Sequence, residues 1–225
     1  MNTLRSIAYW AIWFNRNKIY HKGFRESVHG IIAFIRAYHA EISSMRQASR
    51  HANEVEKDIW TPPKDDTIKI NFDASFNQHT GRSVSRILVR NKDGLIMAAC
   101  TFPWENVPDP VMAEARACLQ AVTMAKEMGF QDVVVEGDAL TVIRKLKSSD
   151  DDLSNIRSLI REIKGRACRF KSLSLEYILR EANHAAHGMA RVGRQYESPQ
   201  YWIKEAPIAV VKLIDRERRR DVNGQ

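Results

Sequence analysis

The order of strand-like and helix-like patterns is the feature that most constrains what this chain can fold into. Three strand-like segments come first, at residues 68–73, 84–89 and 95–99. A helical pattern follows at 111–125, and then a continuous β-branched run at 133–135, as expected for a strand covered on both faces. Because a helix separates the third strand from the fourth, the fourth strand is free to pair in parallel.

Further patterns complete this domain. Apolar residues recur with helical spacing at 140–146 and 156–163, alternation returns at 173–177, and 183–194 is typical of a closing helix. The sequence therefore predicts an α/β domain with a mixed five-stranded sheet and helices on both faces.

The chain is predicted to divide into four parts. Residues 1–58 have helical spacing throughout and form an N-terminal helical segment. Two adjacent prolines cannot continue a helix, so 59–66 is predicted to be a linker. The α/β domain is expected over 67–195, and an extension over 196–225 ends in the basic tail 216–220, which we expect to be disordered.

Composition gives more information about the class of binding partner than about the fold. The 225 residues carry a formal charge of +8, which favours nucleic acid over a membrane surface or a small-molecule substrate. The three cysteines are widely spaced and support neither a disulfide framework nor a zinc ribbon. No apolar run in the sequence approaches the length of a membrane span, so we expect an intracellular protein, nuclear or cytoplasmic and not secreted.

Three acidic residues lie at junctions between the predicted elements. Asp73 ends the first strand, Glu114 opens the long helix, and Asp138 follows the fourth strand. Each has an alternative explanation alone, because Asp73 can begin a turn, Glu114 can complement a helix dipole and Asp138 can cap a helix. Together they predict an oxygen-rich site for divalent cations at one edge of the sheet.

Five short segments carry a resemblance to a known family, in the same order and at similar spacing. They are Lys69–Phe76, Val89–Gly94, Ala113–Ala121, Val135–Asp138 and Arg180–Asn183. The chain resembles the ribonuclease H fold over about residues 67 to 195. More narrowly, it is similar to the ribonuclease H-like domain, of the reverse-transcriptase-like type, of plant non-LTR retrotransposons and their host relatives.

The resemblance implies roles for the acidic residues. Asp73 would bridge two Mg²⁺ ions, Asp138 would hold one of them, and Glu114 would hold the other and contact a ribose 2′-hydroxyl. That hydroxyl is what selects an RNA strand for cutting. Asn183 is predicted to contact nucleic acid.

The fourth position of the implied site departs from the family pattern, because His187 stands where an aspartate is expected. Imidazole is a poor Mg²⁺ ligand, and a free histidine with a pKa of about 6.5 is mostly uncharged at neutral pH. We therefore expect a weaker second metal and either low activity or a preference for Mn²⁺. The alternative is that His187 only caps or packs. A zinc site with His184 is discounted, because no cysteine or third histidine accompanies the pair.

Two further departures concern the surroundings of the site. The loop before the closing helix lacks the histidine that assists product release in the family. Arg86 stands where relatives tend to have glycine, and it is expected either to reach a phosphate or to crowd the groove.

The segment Arg157–Lys171 holds six basic residues and one acid. Such a run often marks a solvated helix face, but beside a phosphodiester site it predicts a grip on a hybrid duplex. The residues expected to bind nucleic acid are Arg161, Lys164, Arg166 and Arg169.

Two functions remain open from the sequence. The first is a Mg²⁺-dependent endonuclease that cuts the RNA strand of RNA/DNA hybrids, weakened by His187. The second is a degenerate ribonuclease H-like module that binds nucleic acid without turnover. A related 3′–5′ exonuclease is less favoured, because the first strand carries Asp73-Ala-Ser75 rather than Asp-x-Glu.

Overall fold

The computed structural model describes residues 3–22, 27–32, 35–36, 60–150, 152–189 and 196–222. The chain divides into two compact units, residues 1–56 and 57–225. The described part of the first unit is largely helical and includes helix α1, Thr3–Lys22. Residues 37–58 of the predicted helical segment lie outside the described residues. Among the helices that are described, none is both long enough and apolar enough to cross a bilayer.

The second unit is built on one mixed sheet. Its strands are β1 (Ile68–Asn77), β2 (Arg82–Arg90), β3 (Ile96–Trp104), β4 (Asp132–Gly137), β5 (Ser172–Tyr177) and β6 (Gln200–Ile203). The order is β5-β4-β1-β2-β3-β6, with β1, β4 and β5 parallel and the remaining neighbours antiparallel. The predicted mixed sheet with flanking helices is confirmed.

The number of strands differs from the prediction, because the sheet has six strands and not five. The sixth strand, β6, contains four residues and pairs antiparallel with β3. Tyr201 and Ile203 stay exposed on it. A strand this short and this exposed does not produce the hydrophobic alternation by which longer strands are recognised.

Helices cover both faces of the sheet. They are α2 (Pro110–Glu127), α3 (Leu140–Lys147), α4 (Arg157–Ala167), α5 (His184–Gly188) and α6 (Ile208–Val222). The larger core joins one face of the sheet to α2, α3 and α4. A smaller core on the other face joins Leu88 and Ala99 to residues of α5 and α6.

The C-terminal tail is helical rather than disordered, because α6 runs through the basic residues 216–220. Val210 and Ile214 on α6 are buried against Leu88 and Ala99 of the sheet. This burial stabilises the start of the helix, and the basic residues continue it. Of the predicted closing helix, α5 covers residues 184–188, and residues 190–195 lie outside the described part.

Local sequence explains where α2 begins and how near it approaches the sheet. Asp109 is the N-cap, since its carboxylate accepts a hydrogen bond of 2.8 Å from the backbone N–H of Met112, and Pro110 occupies the first turn. Small buried residues on α2, among them Ala117 and Ala121, allow the helix to pack closely on the strands. This packing brings the first turns of α2, with Glu114, to the edge of the sheet.

Strand register places two of the predicted acids level with each other. Asn71 of β1 lies beside Glu136 of the parallel strand β4. Asp73 and Asp138 each follow two residues later, so they lie level with each other. The prediction that Asp73 ends its strand was wrong, because β1 continues to Asn77 through its pairing with β2, whereas β4 ends at Gly137, directly before Asp138. On the other side of β1, Asp73 lies directly opposite Arg86 of β2.

A buried polar network holds the centre of the sheet to its surroundings. The guanidinium of Arg90, which is 0% exposed, donates to Asn71 Oδ1 (2.7 Å) and Glu217 Oε2 (2.6 Å), and it stacks 3.4 Å from the ring centroid of Trp60. Asn71 in turn donates to Glu136 Oε1 at 2.8 Å. The network therefore ties residues before and after the sheet to the strand that carries Asp73.

Gly137 is required for the close packing that precedes Asp138. A Cβ atom at Gly137 would lie 2.7 Å from ring atoms of the fully buried Phe72. We predict that Gly137→Ala lowers the free energy of unfolding by about 1–3 kcal/mol, because the core is overpacked. Gly165→Ala is the matched control, since a Cβ there meets open space on α4 and should raise stability by about 0.5–1 kcal/mol. Equal effects in urea unfolding would contradict this interpretation.

Candidate metal centre

Three carboxylates from three elements converge at one edge of the sheet. Asp73 at the end half of β1 is 1% exposed, Asp138 follows β4, and Glu114 reaches the same place from α2. Burial raises the pKa of Glu114 well above its ordinary value, and the charges of Asp73 and Asp138 raise it further. The structure thus brings together the three acids that the sequence predicts, within electrostatic reach of one another.

His187 lies between the two aspartates. Its Nδ1 is 3.0 Å from Asp73 Oδ2, and its Nε2 is 3.3 Å from Asp138 Oδ2. The first contact is a hydrogen bond, whereas the second is an ion pair without hydrogen-bond geometry. The position of His187, one helical turn after Asn183, is therefore part of the site, as its sequence spacing predicts.

The charge of His187 differs from the prediction. Contacts with Asp138 and then Asp73 raise its pKa to about 9, against the opposing effect of burial. At neutral pH the imidazole is therefore protonated and positively charged. The expectation of a mostly uncharged histidine was wrong, because a free histidine has no carboxylates on both sides.

Asp138 shows the other side of the same interaction. Burial alone would raise its pKa, but contacts with His187 and Asn183 outweigh burial and lower it. The carboxylate is therefore ionised at neutral pH and pairs with the imidazolium.

Arg86 supplies a second positive charge, directly to Asp73. It is 4% exposed, and its guanidinium forms an ion pair with Asp73 Oδ2, the same oxygen that His187 contacts. Another guanidinium nitrogen donates to the backbone oxygen of His187 at 3.4 Å. Arg86 therefore points into the protein and not toward a phosphate, because β1–β2 register puts it opposite Asp73.

Asn183 positions other residues of the site, a role that differs from the predicted contact with nucleic acid. Its side-chain amide donates to the backbone oxygen of Phe72 (3.0 Å) and to Asp138 Oδ1 (3.1 Å). Its Oδ1 accepts from Asn71 at 3.4 Å. Both amide hydrogens are thus used inside the protein, where they join β1 to Asp138.

Asp138 does not cap α3, since the N-cap is Ala139 and makes no side-chain capping bond.

The donor atoms fit a divalent cation in part. One ligand atom each from Asp73, Asp138 and His187 lie within 4.8 Å of one another. Glu114 Oε2 is buried and has no hydrogen-bond partner among the described residues, so it is an oxygen that a cation would satisfy. A protonated imidazole cannot be a ligand. The group of Asp73, Asp138 and His187 therefore fits a cation only when His187 has lost its proton, and Glu114 lies outside this group of three.

The predicted nucleic-acid-binding residues of α4 and of the turn after it lie in the helical layer beside α2. Lys164 donates to the backbone oxygen of Ser148 at 2.6 Å, and Arg166 donates to Thr123 and Glu162 at 2.5 and 2.6 Å. Thr123 follows Glu114 by nine residues, or about 13 Å along α2. Arg161 is exposed on α4, and Arg169 is exposed in the turn that follows it. Contact of these four residues with nucleic acid stays a prediction.

Sequence patterns did not identify the roles of Arg86 and Asn71. Arg86 is recognisable in the sequence as a departure from glycine, but its pairing with Asp73 depends on strand register. Asn71 had a weak signal, since it is a polar residue inside an otherwise apolar strand. Such residues are hydrogen-bonded when they are buried, and a search for their partners would have suggested the network.

The raised pKa of His187 predicts how stability depends on pH. Protonation favours the folded state, so this contribution is complete below about pH 6.5 and is lost as the pH rises through about 9. We expect the free energy of unfolding to fall by about 3 kcal/mol across this range. Urea unfolding with a chelator present measures it.

The variant His187→Gln should lose most of this pH dependence. His184→Gln is the control, because His184 lies exposed on the same short helix and should leave the dependence intact. A wild-type curve as flat as that of His187→Gln would contradict the ion pairs described for the imidazole.

Known structures with the same fold are ribonucleases H. The RNase H1 of the halophilic archaeon Halobacterium salinarum has 21% sequence identity, a TM-score of 0.53, and covers 57% of this chain and 98% of its own. The N-terminal RNase H domain of a Mycobacterium tuberculosis protein has 17% identity, a TM-score of 0.52, and covers 58% and 95%. At these identities the likeness shows the fold. No curated protein sequence matches the chain.

A family assignment follows from the sequence of the second unit. Residues 71–193, more than half of the 225, match the family described as reverse transcriptase-like. The match includes Asp73, Glu114, Asp138 and His187. The narrower origin in plant non-LTR retrotransposons stays a prediction. The chain belongs to the reverse transcriptase-like family and has the ribonuclease H fold.

Proposed function

We propose that this chain binds RNA/DNA hybrids and slowly hydrolyses their RNA strand, as a ribonuclease H-type endonuclease of retrotransposon origin. The observation that carries the proposal is the convergence of Asp73, Glu114 and Asp138 at one edge of a ribonuclease H-like sheet. Family membership and the charge of +8 support a nucleic acid as the substrate. Mg²⁺ is the proposed cofactor, and Mn²⁺ can replace it.

Each acidic residue has a proposed role. Asp73, Glu114 and Asp138 hold the cation, which when bound activates water and stabilises charge on the leaving oxygen. Asn183 fixes the orientation of Asp138 through the 3.1 Å hydrogen bond. Glu114 is also proposed to accept a hydrogen bond from a ribose 2′-hydroxyl, as the resemblance to the ribonuclease H fold implies.

Slow turnover follows from the two positively charged side chains in the site. His187 and Arg86 both contact Asp73 Oδ2, so this oxygen is engaged before any metal binds. A divalent cation must compete with both, and charge repulsion lowers its affinity. Mn²⁺ binds nitrogen ligands more readily than Mg²⁺ does, and it is therefore expected to support the higher rate.

Arg161 on α4 and Arg169 in the turn after it are exposed, and we propose that they contact the hybrid backbone. Lys164 and Arg166 are already hydrogen-bonded within the helical layer, so their contribution is expected to be smaller. Contacts of this kind are independent of sequence and weaken with salt.

A second function, binding without turnover, is favoured by the same two positively charged side chains. If Arg86 and His187 exclude the metal completely at cellular concentrations, the fold and the basic surface remain, but water is not activated. The chain would then be a degenerate nucleic-acid-binding module.

Cleavage of a hybrid with a labelled RNA strand tests the proposal with the full-length chain, in Mg²⁺ and in Mn²⁺. Glu114→Gln is the most informative variant, because it removes a buried carboxylate that Asp73 and Asp138 repel and should fold at least as stably as wild type. We expect it to lower the cleavage rate at least about a hundredfold. Glu127→Gln, at the exposed far end of the same helix, should keep the wild-type rate.

The two functions give different results in this assay. Cleavage that survives Glu114→Gln at the wild-type rate would contradict the assigned site and indicate a contaminating nuclease. Hybrid binding by the wild-type chain with no cleavage in either metal would instead establish the second function.

A further inference from the structure

Arg86 is held in place at two points inside the site. One guanidinium nitrogen pairs with Asp73 Oδ2, and another donates to the backbone oxygen of His187 at 3.4 Å. The side chain of Arg86 is 5% exposed and that of Asp73 is 2% exposed. Because a buried ion pair is costly to break, this guanidinium does not turn outward to make room for another cation.

The charge of Arg86 is permanent. An arginine side chain does not lose its proton in proteins, so Asp73 has a positive neighbour at every physiological pH. Two effects follow from this charge. A divalent cation at Asp73 is repelled by a fixed positive group, and a phosphate that approaches the three carboxylates meets less negative charge.

We propose that Arg86 is a built-in counterion of this site, which lets a nucleic-acid backbone approach the carboxylates without a divalent cation and lowers the affinity of the site for that cation. Hybrid binding and metal binding are then separate events in this chain. This inference rests on the proposed function for the identity of the ligand. Arg86 acts through Asp73 and is a positioning residue.

The substitution Arg86→Gln removes the charge and keeps an amide that can still donate to Asp73. Arg82→Gln is the matched control, because Arg82 is an arginine of the same strand that pairs with Glu105 and not with the site. Both variants lose one positive charge. Any difference between them therefore reports the position of the charge.

Two measurements test the inference with the full-length chain. The first is the affinity for an RNA/DNA hybrid, in chelator and in Mg²⁺ at the same ionic strength. Wild type and Arg82→Gln should each bind within about threefold in the two conditions, whereas Arg86→Gln should bind about tenfold more weakly in chelator than in Mg²⁺. The second is the affinity for Mn²⁺ alone, which should rise about tenfold or more in Arg86→Gln only.

Arg86→Lys provides a second variant, and it should behave like wild type in both measurements because it keeps the charge.

Thermal melting of the wild-type chain tests the inference without any variant. Millimolar Mg²⁺ should raise its melting temperature by less than about 1 °C, since a weakly bound ion stabilises little. A rise of several degrees would overturn the inference.

Equal Mn²⁺ affinities of Arg86→Gln and Arg82→Gln would also overturn it. Failure of the proposed function gives a different result. If the wild-type chain binds no hybrid in either condition, the ligand assignment is wrong, while the Mn²⁺ measurement still decides whether Arg86 limits metal binding.

Discussion

Repulsion among three carboxylates, one buried and two partly buried, is the constraint on which the rest of the site depends. Asp73, Glu114 and Asp138 come from three chain segments that are held together by burial of apolar side chains in the core. This packing places three acidic side chains close together. Such a cluster folds only if protons or positive groups offset it. This chain uses both, since the pKa of Glu114 is raised and Arg86 and His187 contribute positive charge.

This arrangement has opposite consequences for folding and for catalysis. An enzyme that leaves its carboxylates to a divalent cation is destabilised without the metal and gains full use of it when bound. Here the two ion pairs of Asp73 stabilise the protein without a metal, and the same pairs occupy an oxygen that a metal would use. Glu114 is the exception, because its Oε2 has no hydrogen-bond partner in the described part of the chain.

Much of the fold was predictable because local signals agreed with one another. Alternation in β1, the continuous valine run of β4 and the helical spacing of α2 each indicated the right element. The sequence did not predict two of the elements. Strand β6 is four residues long and half exposed, and α6 joins a short apolar face to a highly charged end. Both are stabilised mainly by the strands on which they pack, so their own sequences carry little of the signal.

The sequence by itself determined which residues could form a site: three acids at or near predicted element junctions, a histidine four residues after Asn183, and an arginine in place of a glycine. It could do so because strand ends and helix starts are set by short-range patterns. Only the tertiary structure decided the charges and partners of these residues. The protonation of His187 depends on carboxylates 114 and 49 residues away in sequence, and the pairing of Arg86 with Asp73 depends on strand register. Electrostatic interactions act through space between residues that folding brings together, so no local pattern in the chain contains them.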